Sequence, residues 1–478
     1  MIYIMRLRNY FLCGAAMLAT TMGFTACDDD DPINPDQGTE IPDDTPDTPD
    51  TPDTPTDPWA TADVVTWPGD TIVNLDNHFT VPEGKSLIIE AGAQVIVSTE
   101  GVGANQQPIE FTVDGNLYCQ GTAESPVLFS IEESQRTEAN IFAGLWGGIV
   151  ATSTCEEMLI DHTIIEYTGG DVIEGAPAAN AGIYEAGDDA YPQITTNNVN
   201  GKYVITNSIL RNGVSDAIYM MGGQAIIANN LFVANGETGE EAVNVKSGCR
   251  VDVAGNVMFA PNTNALKLSS SDQSEVRTQA VVHAYNNTIV NAGWRRDSEK
   301  GGGIYAEENV SAYVYNNLLV NCKYRAMTPA LDNLANVEGG YDDQHSMIDY
   351  NFYASGNQQV DENYVYENGI LYAWQGYNFD HEEYHVGVVD AHSVLATEEN
   401  QQDPLFVNFD INAVPLTGYI YDDAWDFHVQ ANSPVLSGAY DDSNAEAAPS
   451  FLTNGLTVNG QTYTSPAVEA RFGAYGTN

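Results

Sequence analysis

The sequence predicts an all-β solenoid, a fold in which short strands repeat along one axis. From about Trp59, apolar and polar residues alternate without a long helical period, which indicates short strands. A phrase of Asn, apolar residues and a small polar turn also returns, with spacings of 23, 26, 31, 30 and 34 residues, at Asn207, Asn230, Asn256, Asn287, Asn317 and Asn351. A unit that recurs with variable length is typical of stacked repeats with unequal loops.

The first 26 residues have the pattern of a secretory signal peptide. Arg6 and Arg8 precede an apolar stretch at 11–22 that contains no acidic residue. The phrase Thr-Ala-Cys at 25–27 resembles a bacterial lipobox, which implies lipidation of Cys27, whereas ordinary cleavage would leave a free thiol. The acidic run at 28–31 resembles the export signal of Bacteroidota surface lipoproteins, and the alternative is the solvated acidic start of a linker.

A tether is predicted to follow the signal peptide. Asp, Thr and Pro dominate residues 32–58, and such a composition buries little apolar surface. Proline and charge repulsion keep a segment of this kind extended. We therefore expect a lipidated Cys and a disordered tether over 27–58, and a folded part from residue 59 onward.

Several phrases in the folded part resemble known β-helices. They include 79–92, 111–117 and 121–129 near the start, and 403–407 and 433–436 near the end. These resemble the right-handed parallel β-helices of the pectate-lyase-like superfamily. The resemblance implies a β-helix over 59–445, with an aromatic-rich insertion at about 361–390, and a closing segment over 446–478. Because this superfamily holds lyases, hydrolases, epimerases and adhesins, it predicts the fold and leaves the activity open.

The repeat also predicts which side chains point outward. Aligning 217–221, 242–246, 265–269 and 303–307 gives one column of strands, and strand side chains alternate between faces. His162 occupies the place of Asn207 one unit earlier, so the long gap between them predicts an insertion at about 169–200. The expected inward set is Ile218, Met220, Val243, Val245, Leu266, Leu268 and Ile304. The expected outward set is Tyr219, Met221, Asn244, Lys246, Lys267, Ser269, Tyr305 and Glu307, with Tyr184 added from an earlier unit.

Two acidic residues stand at matching places before their strands. Asp216 and Glu241 are expected one repeat apart, where paired carboxylates act as general acid and base or hold a Ca²⁺ ion. Lys246 and Arg250 resemble the place where β-helix lyases keep a basic residue beside a metal-binding acid. The alternative for all four is a solvated surface role in a chain rich in acidic residues.

Aromatic residues suggest a carbohydrate ligand, because aromatic faces stack on the apolar faces of sugar rings. The predicted ligand-binding residues are Tyr184, Tyr219, Asn244, Lys267, Tyr305 and Glu307 on the strip, and Trp374 and Tyr377 in the insertion. The insertion is equally interpreted as a lid that buries its own aromatic residues.

Charge restricts the partners. The chain has 67 acidic and 16 basic residues, a net charge of −51. Nucleic acid is excluded as an expected partner, because phosphates require clustered Lys and Arg, and a neutral or Ca²⁺-bridged polymer is favoured. We expect a lipoprotein anchored in the outer membrane through Cys27 and exposed at the cell surface, whose β-helix captures a polysaccharide. The alternatives are a Ca²⁺-assisted polysaccharide lyase or hydrolase and an adhesin or structural stalk.

Overall fold

The computed structural model describes residues 57–187, 189–237, 239–296, 300–331, 346–361, 369–377, 379, 388–441 and 447–478. The predicted signal peptide, Cys27 and nearly all of the tether lie outside the described residues. Within them, no helix has the length and apolarity that a membrane crossing needs.

Three long parallel sheets form the fold, with strands numbered in chain order. Sheet A contains β1 (Val64–Trp67), β4 (Ser86–Glu90), β7 (Asn116–Gln120), β10 (Glu157–Asp161), β13 (Lys202–Thr206), β16 (Gly223–Ala228), β19 (Cys249–Ala254), β22 (Val281–Tyr285), β25 (Ser311–Tyr315) and β28 (Met347–Ile348). Sheet B contains β2 (Ile72–Leu75), β5 (Gln94–Val97), β8 (Val127–Ser130), β11 (Thr163–Glu166), β14 (Ile209–Arg211), β17 (Leu231–Val233), β20 (Val257–Phe259), β23 (Thr288–Val290), β26 (Leu318–Val320), β29 (Phe352–Ala354) and β30 (Val394–Leu395). Sheet C contains β3 (Phe79–Val81), β6 (Phe111–Val113), β9 (Ile149–Ala151), β12 (Ile194–Thr196), β15 (Ile218–Met220), β18 (Val243–Val245), β21 (Leu266–Ser269), β24 (Gly302–Glu308) and β27 (Arg325–Leu331).

The remaining elements are short. Two antiparallel hairpins pair β31 (Phe406–Asn408) with β32 (Asp426–Val429), and β33 (Leu456–Val458) with β34 (Gln461–Tyr463). The helix α1 spans Pro177–Asn180. Single 3₁₀ turns span Pro58–Ala60, Glu133–Gln135, Glu138–Asn140, Ala373–Gln375 and Pro434–Leu436.

From β1 to β27, each rung contributes one strand to sheet A, then one to sheet B, then one to sheet C, before the chain moves to the next rung. This arrangement is a parallel β-helix, so the predicted fold class is confirmed. The inward-facing prediction is also confirmed, because its seven residues are all fully buried in one continuous core. Stacked rungs lie about 4.8 Å apart, so equivalent side chains form columns along the axis.

A ladder of Asn side chains joins five rungs inside this core. Asn287 shows the pattern: its Oδ1 accepts from the backbone N–H of Asn256 at 3.1 Å and from Asn256 Nδ2 at 2.9 Å. Its own Nδ2 donates to Asn317 Oδ1 and to the carbonyl of Val253, both at 2.9 Å. Nδ2 of Asn230, Asn256 and Asn317 likewise donates to Oδ1 of the next Asn, and the ladder ends at Asn351, whose Nδ2 donates to backbone carbonyls. None of the five side chains is more than 1% exposed.

The predicted ladder was one residue out of register at Asn207. Asn207 does not align with Asn230; Ser208 does, and its backbone N–H donates to Asn230 Oδ1 at 2.9 Å. The residue before each ladder position makes the sharp corner, where short polar side chains tolerate a left-handed backbone. These corner residues have φ between 46° and 68°, and they are His162, Asn207, Asn229, Gly255, Asn286, Asn316 and Tyr350.

The predicted insertion at 169–200 is wrong in its last part. Ile194–Thr196 forms β12, and Thr195 is in register with Val150 before it and with Tyr219 after it. The extra chain therefore ends before this strand, and it holds α1. Its apolar residues pack on the outer face of sheet C at Val150.

The C-terminal region covers the outer faces of sheets A and B. Residues 406–436 pack on outward apolar residues of sheet B, including Val257 and Phe259. On sheet A, Phe451 and Leu456 pack on a column that contains Val204 and Ile226. The segment predicted to close the β-helix over 446–478 therefore lies, in its described part, along the flank of the rungs.

Asp252 fastens this segment to sheet A. Its side chain is fully buried and accepts from the backbone N–H groups of Ser450 at 3.0 Å and Phe451 at 2.9 Å. Ser465 Oγ donates to the same carboxylate at 2.6 Å. Asp252 therefore bonds to the chain on both sides of the β33–β34 hairpin, at Ser450 and Phe451 before it and at Ser465 after it.

We predict that Asn287→Ala destabilises the protein by about 3 kcal/mol, because it leaves buried donors of Asn256 without an acceptor, at about 1–3 kcal/mol for each unsatisfied group. The urea midpoint measures the change. Asn229→Gly is the control, since this exposed corner residue has a φ of 57° that glycine adopts freely. Equal midpoints for the two variants would contradict a stabilising ladder.

We predict that Asp252→Ala loosens residues 447–478, because three donors lose their buried acceptor. Chymotrypsin should then cut at Phe451 and Tyr463 earlier than in the unaltered protein, as resolved by mass spectrometry over time. The exposed Asp423, changed to Ala, is the control. Unchanged cleavage in the Asp252 variant would refute this fastening role.

Candidate functional site

Two adjoining cavities lie over the outer face of sheet C. The first, of about 320 Å³, is called the acidic cavity and is lined by Ile183, Tyr184, Asp189, Ala190, Pro192, Ser215, Asp216, Tyr219, Met221, Glu240, Glu241 and Asn244. The second, of about 360 Å³, is called the basic cavity and is lined by Gly239, Glu240, Glu241, Thr263, Asn264, Lys267, Arg296, Lys300, Gly301, Tyr305, Glu307 and Arg325. Because both contain Glu240 and Glu241, they form one groove along the solenoid.

The floor of the groove is a single column of strand residues. Tyr219, Asn244, Lys267 and Tyr305 occupy equivalent positions in β15, β18, β21 and β24. The structure thus brings together four of the predicted ligand-binding residues. Tyr219, Lys267 and Tyr305 are half-buried, whereas Asn244 is only 6% exposed because neighbouring side chains close over it.

Tyr184 reaches the groove from the inserted loop instead of from a strand. Its hydroxyl lies 2.7 Å from Thr195 Oγ1, and its ring centroid lies 6.3 Å from that of Tyr219. Thr195 holds the column position that the sequence alignment gave to Tyr184. The aromatic wall is therefore built by a loop and a strand together.

Asp216 and Glu241 meet at the acidic cavity, as their spacing predicts. Asp216 Oδ1 accepts from the backbone N–H of Glu241 at 2.5 Å, and Oδ2 accepts from Asn244 Nδ2 at 3.1 Å. Glu241 Oε1 accepts from Asn264 Nδ2 at 3.0 Å. Two amide side chains thereby fix both carboxyl groups.

Burial and, next to it, the negative charge of Glu241 raise the pKa of the Asp216 carboxyl well above its ordinary value. A carboxyl group of this kind keeps its proton to higher pH and can donate a hydrogen bond. It can also act as a general acid when a substrate oxygen lies within reach.

Lys267 carries positive charge into the centre of the groove. Its Nζ lies 3.3 Å from Glu307 Oε1. Burial acts to lower the pKa of Lys267, but the carboxylates of Glu241 and Glu307 outweigh it and raise the pKa. The amine therefore stays charged beside two acids.

Two buried side-chain oxygen atoms of residues that line the groove have no hydrogen-bond partner among the described residues. They are Asn244 Oδ1 in the acidic cavity and Thr263 Oγ1 in the basic cavity. Such an atom costs about 1–3 kcal/mol when it is left unmet. Both atoms lie beneath the surface of the groove, and the half-buried side chains on its floor are those of Tyr219, Lys267 and Tyr305.

The other predicted site residues lie in different places. Lys246 flanks the acidic cavity, with its amine 5.7 Å from the Tyr219 ring centroid. Arg250 is on β19 of sheet A, where Nη1 lies 3.3 Å from Ser450 Oγ, so the structure does not join it to Asp216 and Glu241.

The described part of the aromatic insertion covers the last rungs. Trp374 and Tyr377 pack against the core, and the Tyr377 hydroxyl donates to Asp390. The Tyr377 ring centroid is 5.7 Å from that of Tyr353, a core residue of β29. This packing matches the lid interpretation, and neither residue lines the groove. The insertion also contains Tyr364, Tyr366 and Tyr384, which lie outside the described residues.

Sequence reasoning missed several groove residues. Asp189, Glu240, Arg296, Lys300 and Arg325 enter the groove from loops and from the start of β27. One sequence feature could have identified Arg296, Lys300 and Arg325: they are basic, and basic residues are rare in this chain.

A metal site is not assembled by these side chains alone. Across the described residues, no group of three or more His, Cys, Asp or Glu is arranged to hold a metal ion. The predicted Ca²⁺ ion at Asp216 and Glu241 stays a prediction, and those two carboxylates with amide oxygens of Asn244 or Asn264 would be its ligands.

We predict that Asp216→Asn becomes more stable relative to the unaltered protein as pH rises. The raised pKa of folded Asp216 means that its contribution is present below the unfolded pKa and is lost as pH rises through the folded pKa. Asn does not titrate, so the Tm difference should grow with pH across that window. The exposed Glu275, changed to Gln, is the control, and the same dependence on pH for both variants would contradict the prediction.

No family model, no curated protein and no solved structure matches this chain.

Proposed function

We propose that this protein is a cell-surface lipoprotein whose β-helix binds an extended polysaccharide along the groove on sheet C. The observation that carries the proposal is the column of Tyr219, Asn244, Lys267 and Tyr305, which forms the floor of the groove over four successive rungs. Sugars offer hydroxyl groups to the Lys267 amine and the tyrosine hydroxyls, and apolar ring faces to the tyrosine rings.

The direction of the groove supports an extended ligand. Its floor residues come from four successive rungs, spaced about 4.8 Å apart along the axis. Solenoids present extended surfaces of this kind to extended partners. The surface location rests on the lipobox-like phrase at Cys27 and the Pro-rich tether, both read from the sequence.

A catalytic role for the same groove is the second candidate. The observation that favours it is the Asp216 and Glu241 pair, in which burial and mutual repulsion keep one proton available. Lys246 is the predicted base that lies near this pair, beside Tyr219. A lyase would use such a base to remove a proton next to a sugar carboxylate.

We predict that the full chain is retarded in native gels cast with the polysaccharide that it binds, and that Tyr219→Ala weakens this binding about tenfold, because an aromatic contact at the centre of an interface contributes about 1–2 kcal/mol. Dissociation constants follow from retardation against polymer concentration.

Tyr118→Ala is the matched control, since Tyr118 is a half-buried tyrosine on the outer face of sheet A. Equal effects of the two substitutions, or no retardation by any polysaccharide of a broad panel, would contradict the proposal. The same mixtures are assayed for new reducing ends and for ultraviolet-absorbing unsaturated ends. Either product, lost in Asp216→Asn, would establish the catalytic candidate.

A further inference from the structure

The outward column of sheet C that forms the groove floor is open over only part of its length. In register from β6 to β27, its residues are Thr112, Val150, Thr195, Tyr219, Asn244, Lys267, Tyr305 and Thr328. The first three are at most 7% exposed and the last is 1% exposed, whereas Tyr219, Lys267 and Tyr305 are half-buried. The groove floor therefore covers four rungs, a span of roughly 14 Å at about 4.8 Å per rung.

The insertion before β12 closes the column at its first end. Ile183 and Tyr191 belong to an apolar cluster that packs on Val150, and the Tyr184 hydroxyl lies 2.7 Å from Thr195 Oγ1. The acidic cavity is lined by five insertion residues, which we call the end wall: Ile183, Tyr184, Asp189, Ala190 and Pro192. The groove therefore stops at this wall, one rung before Tyr219.

Buried hydrogen bonds hold the insertion in place. The carboxylate of Glu110 is fully buried and accepts from the backbone N–H of Ala178 and from the Tyr191 hydroxyl, both at 2.8 Å. Within the insertion, the backbone N–H of Val172 donates to the carbonyl of Asp189 at 2.8 Å. Lifting the insertion would strip donors from a buried carboxylate, which is strongly unfavourable. The end wall is therefore a fixed boundary of the groove.

A fixed wall restricts which part of a glycan the groove can hold. The interior of a polymer continues in both directions, so at the wall it would have to turn sharply away from the solenoid and lose its contact with Tyr219. A chain terminus has nothing beyond it to accommodate. Its last sugar fits into the acidic cavity while the sugars behind it lie along the floor toward Lys267.

We propose that the groove recognises the end of a glycan chain, with the terminal sugar in the acidic cavity against the end wall. This inference rests on the proposed function and names the part of the glycan that is bound. The ligands are oligosaccharides and the termini of polysaccharides, and the interior of a long polymer is not a ligand.

The number of protein molecules bound to each glycan chain tests this inference. Each polysaccharide that retards the protein in native gels, from a panel that includes pullulan, xylan, mannan and hyaluronan, is prepared as two linear fractions whose chain lengths differ about tenfold. Isothermal titration of the whole protein should give one protein molecule per glycan chain for both fractions, because each chain has one end of the recognised kind.

The possible results separate the two proposals. A stoichiometry that rises with chain length would overturn end recognition and leave glycan binding intact, because internal sites increase in number along a polymer. Absence of binding to every glycan of the panel would overturn both proposals. This measurement uses the unaltered protein, so it does not depend on the folding of any variant.

A matched pair of variants locates the terminal sugar. Tyr184→Ala removes a ring from the end wall, and Tyr118→Ala removes the same ring from the outer face of sheet A. The first should weaken binding of the short and the long fraction by the same factor, about tenfold, because both place only their end at the wall. The second should change either affinity by less than about twofold. A loss confined to the short fraction, or equal effects of the two variants, would overturn the inference.

Discussion

Parallel, in-register pairing between rungs is the constraint on which the rest of this structure depends. Because each strand pairs with its equivalent in the next rung, every side chain stacks on the side chain at the same position above and below it. A buried polar column is tolerated only when its members satisfy each other, as the Asn ladder does. An exposed column becomes a continuous surface, and the floor of the groove is one such column.

Local patterns in the sequence predicted the parts of the molecule that local physics determines. Alternation along short strands identified the buried residues and the shared face of Tyr219, Lys267 and Tyr305, because side-chain direction in a strand depends only on position. Arg250 was misplaced because Gly248, with φ of 77°, turns the chain from sheet C to sheet A between Lys246 and Arg250. Loop residues such as Arg296 reach the groove through long-range packing, which repeat alignment does not contain.

The outer faces of the three sheets differ in polarity and in what covers them. Outward residues of sheets A and B, such as Ile226 and Phe259, are apolar and are covered by the C-terminal region. A strand that is buried on both faces has a continuous apolar sequence, so such runs indicate in the sequence which strands are covered. The central rungs of sheet C instead present tyrosines, amides and charges, which is why the cavities with unpartnered polar atoms lie there.

The segment over 447–478, which lies along the flank of the rungs, affects the order in which the molecule folds. Tyr463 bonds to Asp161 across 302 positions of the chain, and Ser450 bonds to Asp252 across 198. Contacts between such distant partners form late, because closing a long loop costs entropy before any contact rewards it. During synthesis, every rung precedes this segment. The apolar residues on the outer face of sheet A therefore stay exposed until the segment docks. Docking of the segment is therefore the step that buries this stripe.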